Sequence, residues 1–150
     1  MTTAIDPSQT RQSAQVGKRL VELCQQGKNR QAIEELYADT VNVVEAMNPS
    51  DMPGYDQMPE DAKAAHKQGP TPKAELLESN DWFFENHEMH GGQVDGPYPL
   101  GDEFVVFMSL DCTPKVGPMA GQRMEMKEAC VYKVRDGKIV ESRFCYDMGC

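Results

Sequence analysis

The sequence QRMEMKEACVYKVRDGKIVESRFCY, residues 122–146, decides the fold class of this chain. Polar and apolar residues alternate in two runs, 122–134 and 138–146, on either side of an Asp136-Gly137 pair. Alternation with a period of two indicates strands that bury one face, and Asp-Gly between two such runs is a strong sign of a tight hairpin turn. The segment therefore predicts two long antiparallel strands.

Length and charge indicate a single folded domain with an acidic surface. The 150 residues, 39% of them apolar and 26% charged, suffice for one domain, residues 1–150, that has its own hydrophobic core. We expect residues 1–7 to be flexible. Because the net charge is −9 and the sequence shows no cluster of Lys and Arg, we expect no binding to nucleic acid and none to anionic membranes.

The cysteines and the amino terminus favour a cytoplasmic location. The number of cysteines is odd and their spacing matches no zinc-binding motif, so we expect reduced thiols, no bound metal and no cofactor; they are Cys24, Cys112, Cys130, Cys145 and Cys150. No apolar run reaches the about 20 residues that a membrane-spanning helix needs. Residues 1–10 also lack the basic and apolar regions of a signal peptide.

The rest of the chain predicts helices first and strands afterwards. Apolar residues at helical spacing predict helices at residues 7–26, at 29–37 with Asn29 as its cap, and at 71–86. Strands are predicted at residues 40–45, 88–94, 103–112, 122–134 and 138–146. This order is typical of an α+β domain with three main helices packed on a curved, mostly antiparallel sheet. Such a sheet forms a cone whose open end is a natural small-molecule pocket.

Residues 47–71 are predicted to be a long loop rich in Pro, Met and Gly. A short helix at residues 59–67 is the most regular structure expected there. Long loops in compact domains often act as lids over binding sites, and methionines suit such a role because they adapt to varied ligands. A mobile surface loop without a function is the simpler alternative, and the sequence does not decide between the two.

Four segments carry a resemblance to a known superfamily. They are ELYADTVNVVEA (35–46), DWFFENHEMH (81–90), GDEFVVFMSLDCT (101–113) and GQRMEMKEACVYKVRDGKIVESRFCY (121–146). With them the chain resembles the nuclear-transport-factor-2-like (NTF2-like) superfamily, and within it the SnoaL-like (polyketide-cyclase-like) proteins. The resemblance implies the cone-shaped α+β fold described above. It leaves the activity open, because this fold hosts isomerases, cyclases, dehydratases, epoxide hydrolases and non-catalytic domains.

The ketosteroid isomerases, relatives by fold, indicate which parts of a catalytic site are retained. The resemblance places Glu45 at the position of their aspartate base. It places Leu20, which cannot donate a hydrogen bond, at the position of their oxyanion-hole tyrosine. Cys130 falls on or near the position of their second donor, a protonated aspartic acid. The resemblance therefore implies a retained base with a lost or rebuilt oxyanion hole, and steroid isomerisation is not expected.

Three residues are candidates for proton transfer: Glu45, Glu128 and His90. Glu45 follows apolar residues at a strand end, and an apolar pocket raises the pKa of a carboxyl group into the range that suits a general base. Glu128 lies on an otherwise apolar strand face and could form an acid/base pair with Glu45. His90 could carry protons at the pocket mouth. For each residue the alternative is a solvated side chain without a role in chemistry.

The candidates for ligand contact are the aromatic, sulfur-containing and histidine side chains predicted to face the pocket. They are Trp82, His87, Met124, Met126, Cys130, Phe144 and Tyr146. A metal site at His87 and His90 is not expected, because strand alternation places these two residues on opposite faces and their spacing is not that of a helical HExxH motif.

Two classes of function fit these features. The first is an isomerase, cyclase or hydratase that uses Glu45 as a general base on a small apolar molecule with a carbonyl group. The second is a non-catalytic ligand-binding or dimerisation module of the same fold. The pocket glutamate and the possible lid favour the first class, whereas the missing oxyanion donors favour the second. A homodimer is expected in either case, because the outer face of the long strands carries apolar residues.

Overall fold

The computed structural model describes residues 4–147 of the chain. Its helices and strands, in chain order, are α1 (Pro7–Gln25), α2 (Asn29–Leu36), β1 (Tyr37–Val44), α3 (Glu60–Ala65), β2 (Gly69–Pro72), α4 (Lys73–Glu85), β3 (His87–Leu100), β4 (Glu103–Pro114), β5 (Met124–Arg135) and β6 (Lys138–Cys145). Two single 3₁₀ turns, Pro49–Asp51 and Tyr55–Gln57, lie between β1 and α3. No helix in the described part of the chain is long and apolar enough to cross a membrane.

The sheet has six strands in the order β2-β1-β6-β5-β4-β3. All neighbouring pairs are antiparallel except β1 and β6, which run parallel. The helices pack on one face of this open sheet, so the predicted α+β fold with a mostly antiparallel sheet is confirmed. The parallel pair matters for function, because it brings the end of β1 beside the end of β6.

The predicted hairpin is confirmed as β5 and β6. Arg135 pairs with Lys138, and the two residues between them, Asp136 and Gly137, have φ values of 53° and 76°. Positive φ at both central residues is the requirement of the two-residue turn that matches strand twist, which explains the Asp-Gly sequence. The hairpin fixes the register of β5 against β6, and thereby decides which side chains of both strands face the helices.

The first helix begins and ends as the sequence predicts. The Asp6 carboxylate accepts a hydrogen bond from the Ser8 amide at 2.9 Å and so caps α1. Gly27, with φ of 73°, ends it, and the Lys28 amide returns to the Leu23 carbonyl at 2.8 Å. The second helix differs in detail from the prediction: Lys28 holds the cap position without a side-chain hydrogen bond, and Asn29 is the first helical residue.

The core lies between α1, α2 and the inner face of the sheet. Phe104 is its largest fully buried side chain, and its ring stacks on that of Tyr132 at 5.1 Å between centroids. The apolar residues of this core are Val16, Leu20, Val21, Leu23, Ala32, Leu36, Tyr37, Val41, Phe104, Val106, Cys130, Tyr132, Val134 and Ile139. Gly17 lets α1 approach the sheet closely, because a Cβ there would lie 2.6 Å from Pro97. The helices are therefore fixed against one end of the sheet.

Three boundaries differ from the sequence prediction. β1 starts at Tyr37, which was assigned to the second helix, and β3 continues through Gly96-Pro97 by a register shift instead of ending before it. Residues 69–72 form the edge strand β2 against β1, although the prediction ended the long loop at Thr71 and began the third helix there. Of the seven residues predicted to be flexible, 1–3 lie outside the described residues and Pro7 begins α1.

Candidate functional site

A large cavity lies between the helices and the inner face of the sheet. Its volume is about 1350 Å³, which exceeds the roughly 300 to 1000 Å³ of most small-molecule sites. Most of its wall is apolar, with side chains from α1, α2, α4 and all the long strands. The lining includes Leu20, Cys24, Ile33, Val43, Leu76, Phe83, Met89, Val94, Met108, Leu110, Met126 and Phe144. The wall therefore offers mainly apolar contacts.

Glu45 lies at the wall of this cavity, directly after the end of β1. Val44 pairs with Arg143 in the parallel ladder, so Glu45 is level with Phe144 of β6. The Glu45 amide donates to Gln68 Oε1 at 2.8 Å, which fixes its backbone while the side chain stays available. Burial raises the pKa of the Glu45 carboxyl from 4.5 to about 7, and the nearby Glu128 carboxylate contributes to the rise. A carboxyl with this pKa gains and loses a proton near neutral pH.

The hydroxyl of Tyr146 is the hydrogen-bond partner of Glu45 in the cavity. Burial, the charge of Glu45 and the hydrogen bond raise the pKa of Tyr146 to about 12, so this hydroxyl keeps its proton. As a donor it opposes the rise of the Glu45 pKa, and it orients the carboxylate. The sequence prediction that Tyr146 faces the pocket agrees with its place in the lining.

Glu128 lines the cavity on the facing strand, β5. It pairs with Met108 of β4 and precedes Ala129, the partner of Cys145, so it is level with Tyr146. Burial raises its pKa, while a hydrogen bond with the buried Cys130 thiol lowers it. The two glutamates therefore share one mainly apolar chamber, and the charge of Glu128 disfavours the ionisation of Glu45.

The raised pKa of Glu45 predicts a pH dependence of stability. Its carboxyl binds a proton more readily in the folded chain, so the free energy of unfolding falls as pH rises from 4.5 to about 7. Glu45→Gln removes this loss, and we expect the variant to be more stable than the wild type by about 1 to 2 kcal/mol at pH 8 after allowance for partial exposure. Urea unfolding of both proteins at pH 4 and pH 8 tests this, because an equal difference at the two pH values would contradict it.

The segment between β1 and β2 covers part of the cavity. Met47, Met52 and His66 line it, whereas Met58 does not. Trp82 of α4 also lines the cavity, as predicted, and its Nε1 donates to Asp61 Oδ2 at 3.0 Å, which attaches the short helix α3 to α4. The segment is therefore part of the cavity wall and has side-chain contacts to α4.

Four predicted site residues do not line the cavity. Met124 is at the far end of β5, and Cys130 is fully buried, so it reaches the chamber only through its hydrogen bond with Glu128. His87 is half-buried, stacks on Phe83 at 4.0 Å, and burial lowers its pKa. His90 is exposed, with its Nε2 2.8 Å from the Thr113 hydroxyl. The register shift after Met89 sets His90 apart from the cavity.

Three hydroxyl residues that sequence reasoning did not select line the inner end of the cavity: Tyr37, Tyr132 and Ser142. Each is at least nine-tenths buried. Tyr132 lies on the same face of β5 as Glu128, and Ser142 lies on the same face of β6 as Phe144. Strand alternation could therefore have predicted that these two residues face the cavity. Tyr37 could not be found in this way, because it was assigned to a helix.

No group of three or more His, Cys, Asp or Glu side chains within residues 4–147 could hold a metal ion. Among the titratable groups of the cavity wall, Glu45 lies near both Glu128 and the Tyr146 hydroxyl.

Comparison with solved structures identifies a relative over almost the whole chain. A protein from Mesorhizobium loti described as a SnoaL-like polyketide cyclase is 36% identical, with a TM-score of 0.71, and the match covers 89% of this chain and 97% of that chain. An NTF2-like protein from Burkholderia thailandensis, 18% identical, has a TM-score of 0.63 over 90% of both chains. A protein from Bacillus subtilis described as an isomerase, 12% identical, has a TM-score of 0.58 over 93% of this chain and 88% of that chain. The last two matches show the fold alone.

The family is shown by a match to the sequence itself. The profile of the SnoaL-like domain matches residues 11–146, from the first helix to the end of the last strand. No curated protein matches the chain. The resemblance carried by the four segments is therefore confirmed at the level of the family. The chain belongs to the SnoaL-like family, with the NTF2-like fold.

Proposed function

We propose that this protein is an enzyme that moves a proton on a small, largely apolar carbonyl compound, with Glu45 as general base. The observation that carries this proposal is the pKa of about 7 at a carboxyl that lines an apolar cavity. A base with this pKa is half ionised at neutral pH and still strong enough to take a proton from carbon. Isomerisation, cyclisation and addition of water all include such a step.

Glu128 supports Glu45 in this proposal, because its charge helps to raise the pKa of the Glu45 carboxyl. Glu45 takes the proton from the carbon next to the carbonyl group, the C–H electrons form a C=C bond, and the carbonyl electrons move to the oxygen. The proton on Glu45 then returns to the same carbon or to another one. Tyr146 holds the Glu45 carboxylate in place.

The exchange of hydrogen for deuterium in a probe ketone tests the proposal. Acetylnaphthalene is incubated with the protein in D₂O, and NMR follows the loss of the methyl hydrogens next to the carbonyl. The protein should accelerate this exchange, and the rate should rise with pH through about 7, because Glu45 must be ionised. A rate that is already constant above pH 5, or no acceleration at all, would contradict the proposal.

The alternative is a ligand-binding module without catalysis. Leu20, at the position where the isomerases have their oxyanion tyrosine, lines the cavity and offers no donor. In that case the cavity binds an apolar molecule and Glu45 is a solvated or hydrogen-bonded wall residue. The exchange assay separates the two functions, because a binding module retains the probe without exchanging its hydrogens.

We also propose that the protein is a homodimer built on the outer face of the sheet. Tyr98 and Phe107 are in ring contact at 5.7 Å and are 52% and 50% exposed. Exposed aromatic residues on long strands are typical of association between copies. Sedimentation should give twice the chain mass for the wild type and the chain mass for Phe107→Glu. A wild type that sediments as a monomer at micromolar concentration would contradict this.

A cytoplasmic location is proposed as well. The four cysteines in the described residues, Cys24, Cys112, Cys130 and Cys145, are free thiols. Burial raises the pKa of Cys24 to about 11, so this thiol is protonated and unreactive. Buried free thiols are typical of proteins that stay in a reducing compartment.

A further inference from the structure

We propose that the inner end of the cavity is a second polar subsite, in which the hydroxyl groups of Tyr37, Tyr132 and Ser142 bind a hydroxyl or carbonyl oxygen of the ligand. This inference deepens the proposed function, on which it rests for the reacting end of the ligand. It predicts that the ligand is neutral and has two oxygen-bearing groups separated by an apolar frame.

The three hydroxyl groups lie together because of the sheet register. Tyr132 and Ser142 are direct partners across β5 and β6, and Tyr37 starts β1 opposite Ile139 of β6. The hydroxyl of Tyr37 interacts with those of Tyr132 and Ser142. Three strands thus contribute one hydroxyl group each to the same wall.

Their hydrogen-bonding capacity is not used up within the protein. Three hydroxyl groups have three hydrogens to donate and twice as many lone pairs. Ser142 is 2% exposed, and its contact with Tyr37 falls short of full hydrogen-bond geometry, so its Oγ has no good partner among residues 4–147. A buried polar group without a partner is costly, and an oxygen atom of a ligand would supply the partner.

The subsite is separate from the carboxylates. Ser142 and Phe144 lie two residues apart on one face of β6, and Glu45 is level with Phe144. Tyr132 and Glu128 are four residues apart on β5. At about 3.3 Å per residue, the backbone positions of the two groups are about 7 to 13 Å apart. One ligand oxygen at the carboxylates and another at the hydroxyl groups would therefore belong to opposite ends of the molecule.

The charges of the cavity favour a neutral ligand. Five acidic residues line it, Glu45, Asp95, Glu125, Glu128 and Asp147, and the net charge of the chain is −9. Both lysines of the wall are already paired, Lys67 with Glu75 at 3.2 Å and Lys127 with Glu125 at 3.8 Å. Burial raises the pKa of Tyr37 and Tyr132, so both remain hydrogen-bond donors at neutral pH. Donors without a positive charge suit a carbonyl or hydroxyl oxygen better than a carboxylate or phosphate.

Calorimetry with two neutral probes tests the subsite. The first probe is a naphthalene with an acetyl group at one end and a hydroxyl group at the opposite end, and the second has the acetyl group alone. The wild type should bind the first probe about tenfold more tightly than the second, as one well-placed hydrogen bond allows. Ser142→Ala and Tyr132→Phe should each reduce this preference to about threefold or less and leave the affinity for the second probe unchanged.

The controls separate this inference from folding defects and from the proposed catalysis. Tyr98→Phe removes an exposed hydroxyl outside the cavity and should keep the full preference. A wild type that shows the preference but exchanges no hydrogen would support the subsite while refuting the catalytic proposal. Equal binding of both probes, equal weakening of both by the two variants, or failure of the wild type to bind either would overturn the inference.

Discussion

Replacing Glu45 with glutamine is expected to slow the exchange of ligand hydrogens by at least about 100-fold, the range that a positioned general base provides. Glutamine has nearly the same shape and can still accept the hydrogen bond of Tyr146, but it cannot take up a proton. The fold should remain intact, because the Glu45 amide, which donates to Gln68, is unchanged. Exchange is measured with acetylnaphthalene in D₂O, and the fold by circular dichroism.

A matched variant shows whether the effect is specific to the cavity. Glu88 is an exposed glutamate on β3 that does not line the cavity. Glu88→Gln removes the same charge and should leave the rate of hydrogen exchange in the probe unchanged. Glu128→Gln keeps a hydrogen-bond donor in the chamber and should reduce exchange less than Glu45→Gln. If Glu45→Gln exchanges hydrogen as fast as the wild type, Glu45 is not the base.

Replacing Phe104 with alanine is expected to lower the free energy of unfolding by about 3 to 5 kcal/mol. Phe104 is fully buried, and its ring lies between the first helix and the ring of Tyr132. The total free energy of unfolding of a domain of this size is about 5 to 15 kcal/mol. The variant should therefore be close to unfolding at 37 °C. Urea denaturation measures the loss.

A surface residue on the same sheet provides the comparison. Leu100 is 66% exposed at the end of β3, and Leu100→Ala should change stability by no more than about 0.5 kcal/mol. Phe104→Leu should cost less than Phe104→Ala, because it leaves a smaller cavity beside Tyr132. A Phe104→Ala protein as stable as Leu100→Ala would mean that the ring is not part of the core.

The elements that depend on local sequence were predictable. The 122–146 hairpin follows from alternation and an Asp-Gly turn, and α1 follows from Asp6, Gly27 and an apolar stripe. The strand β2 was not predictable, because GPTP at residues 69–72 has no strand pattern and becomes a strand only by pairing with β1. The parallel β1–β6 pair joins residues about a hundred positions apart, a distance over which no local pattern carries information.

The candidate site was predictable where alternation holds and not where the register shifts. Glu45, Glu128, Trp82, Met126, Phe144 and Tyr146 all line the cavity, as their strand and helix positions predicted. His90 was proposed as a proton carrier at the pocket mouth, whereas the structure leaves it exposed at the register shift after Met89. Tyr37 was missed because its helical spacing with Ile33 hid the start of β1. Sequence patterns thus predict on which helix or strand a residue lies. They do not predict register shifts within a strand or the residue at which it starts.

The titration of Glu45 is the most direct test of the proposed mechanism. The protein is prepared with ¹³C-labelled glutamate, and the carboxyl resonance that disappears in Glu45→Gln is assigned to Glu45. Its chemical shift is then followed by NMR from pH 3 to pH 9. A midpoint near 7 is expected, because burial in the apolar cavity disfavours the charged form. A midpoint near 4.5, the value of a solvated glutamate, would contradict the proposal that Glu45 is a base at neutral pH.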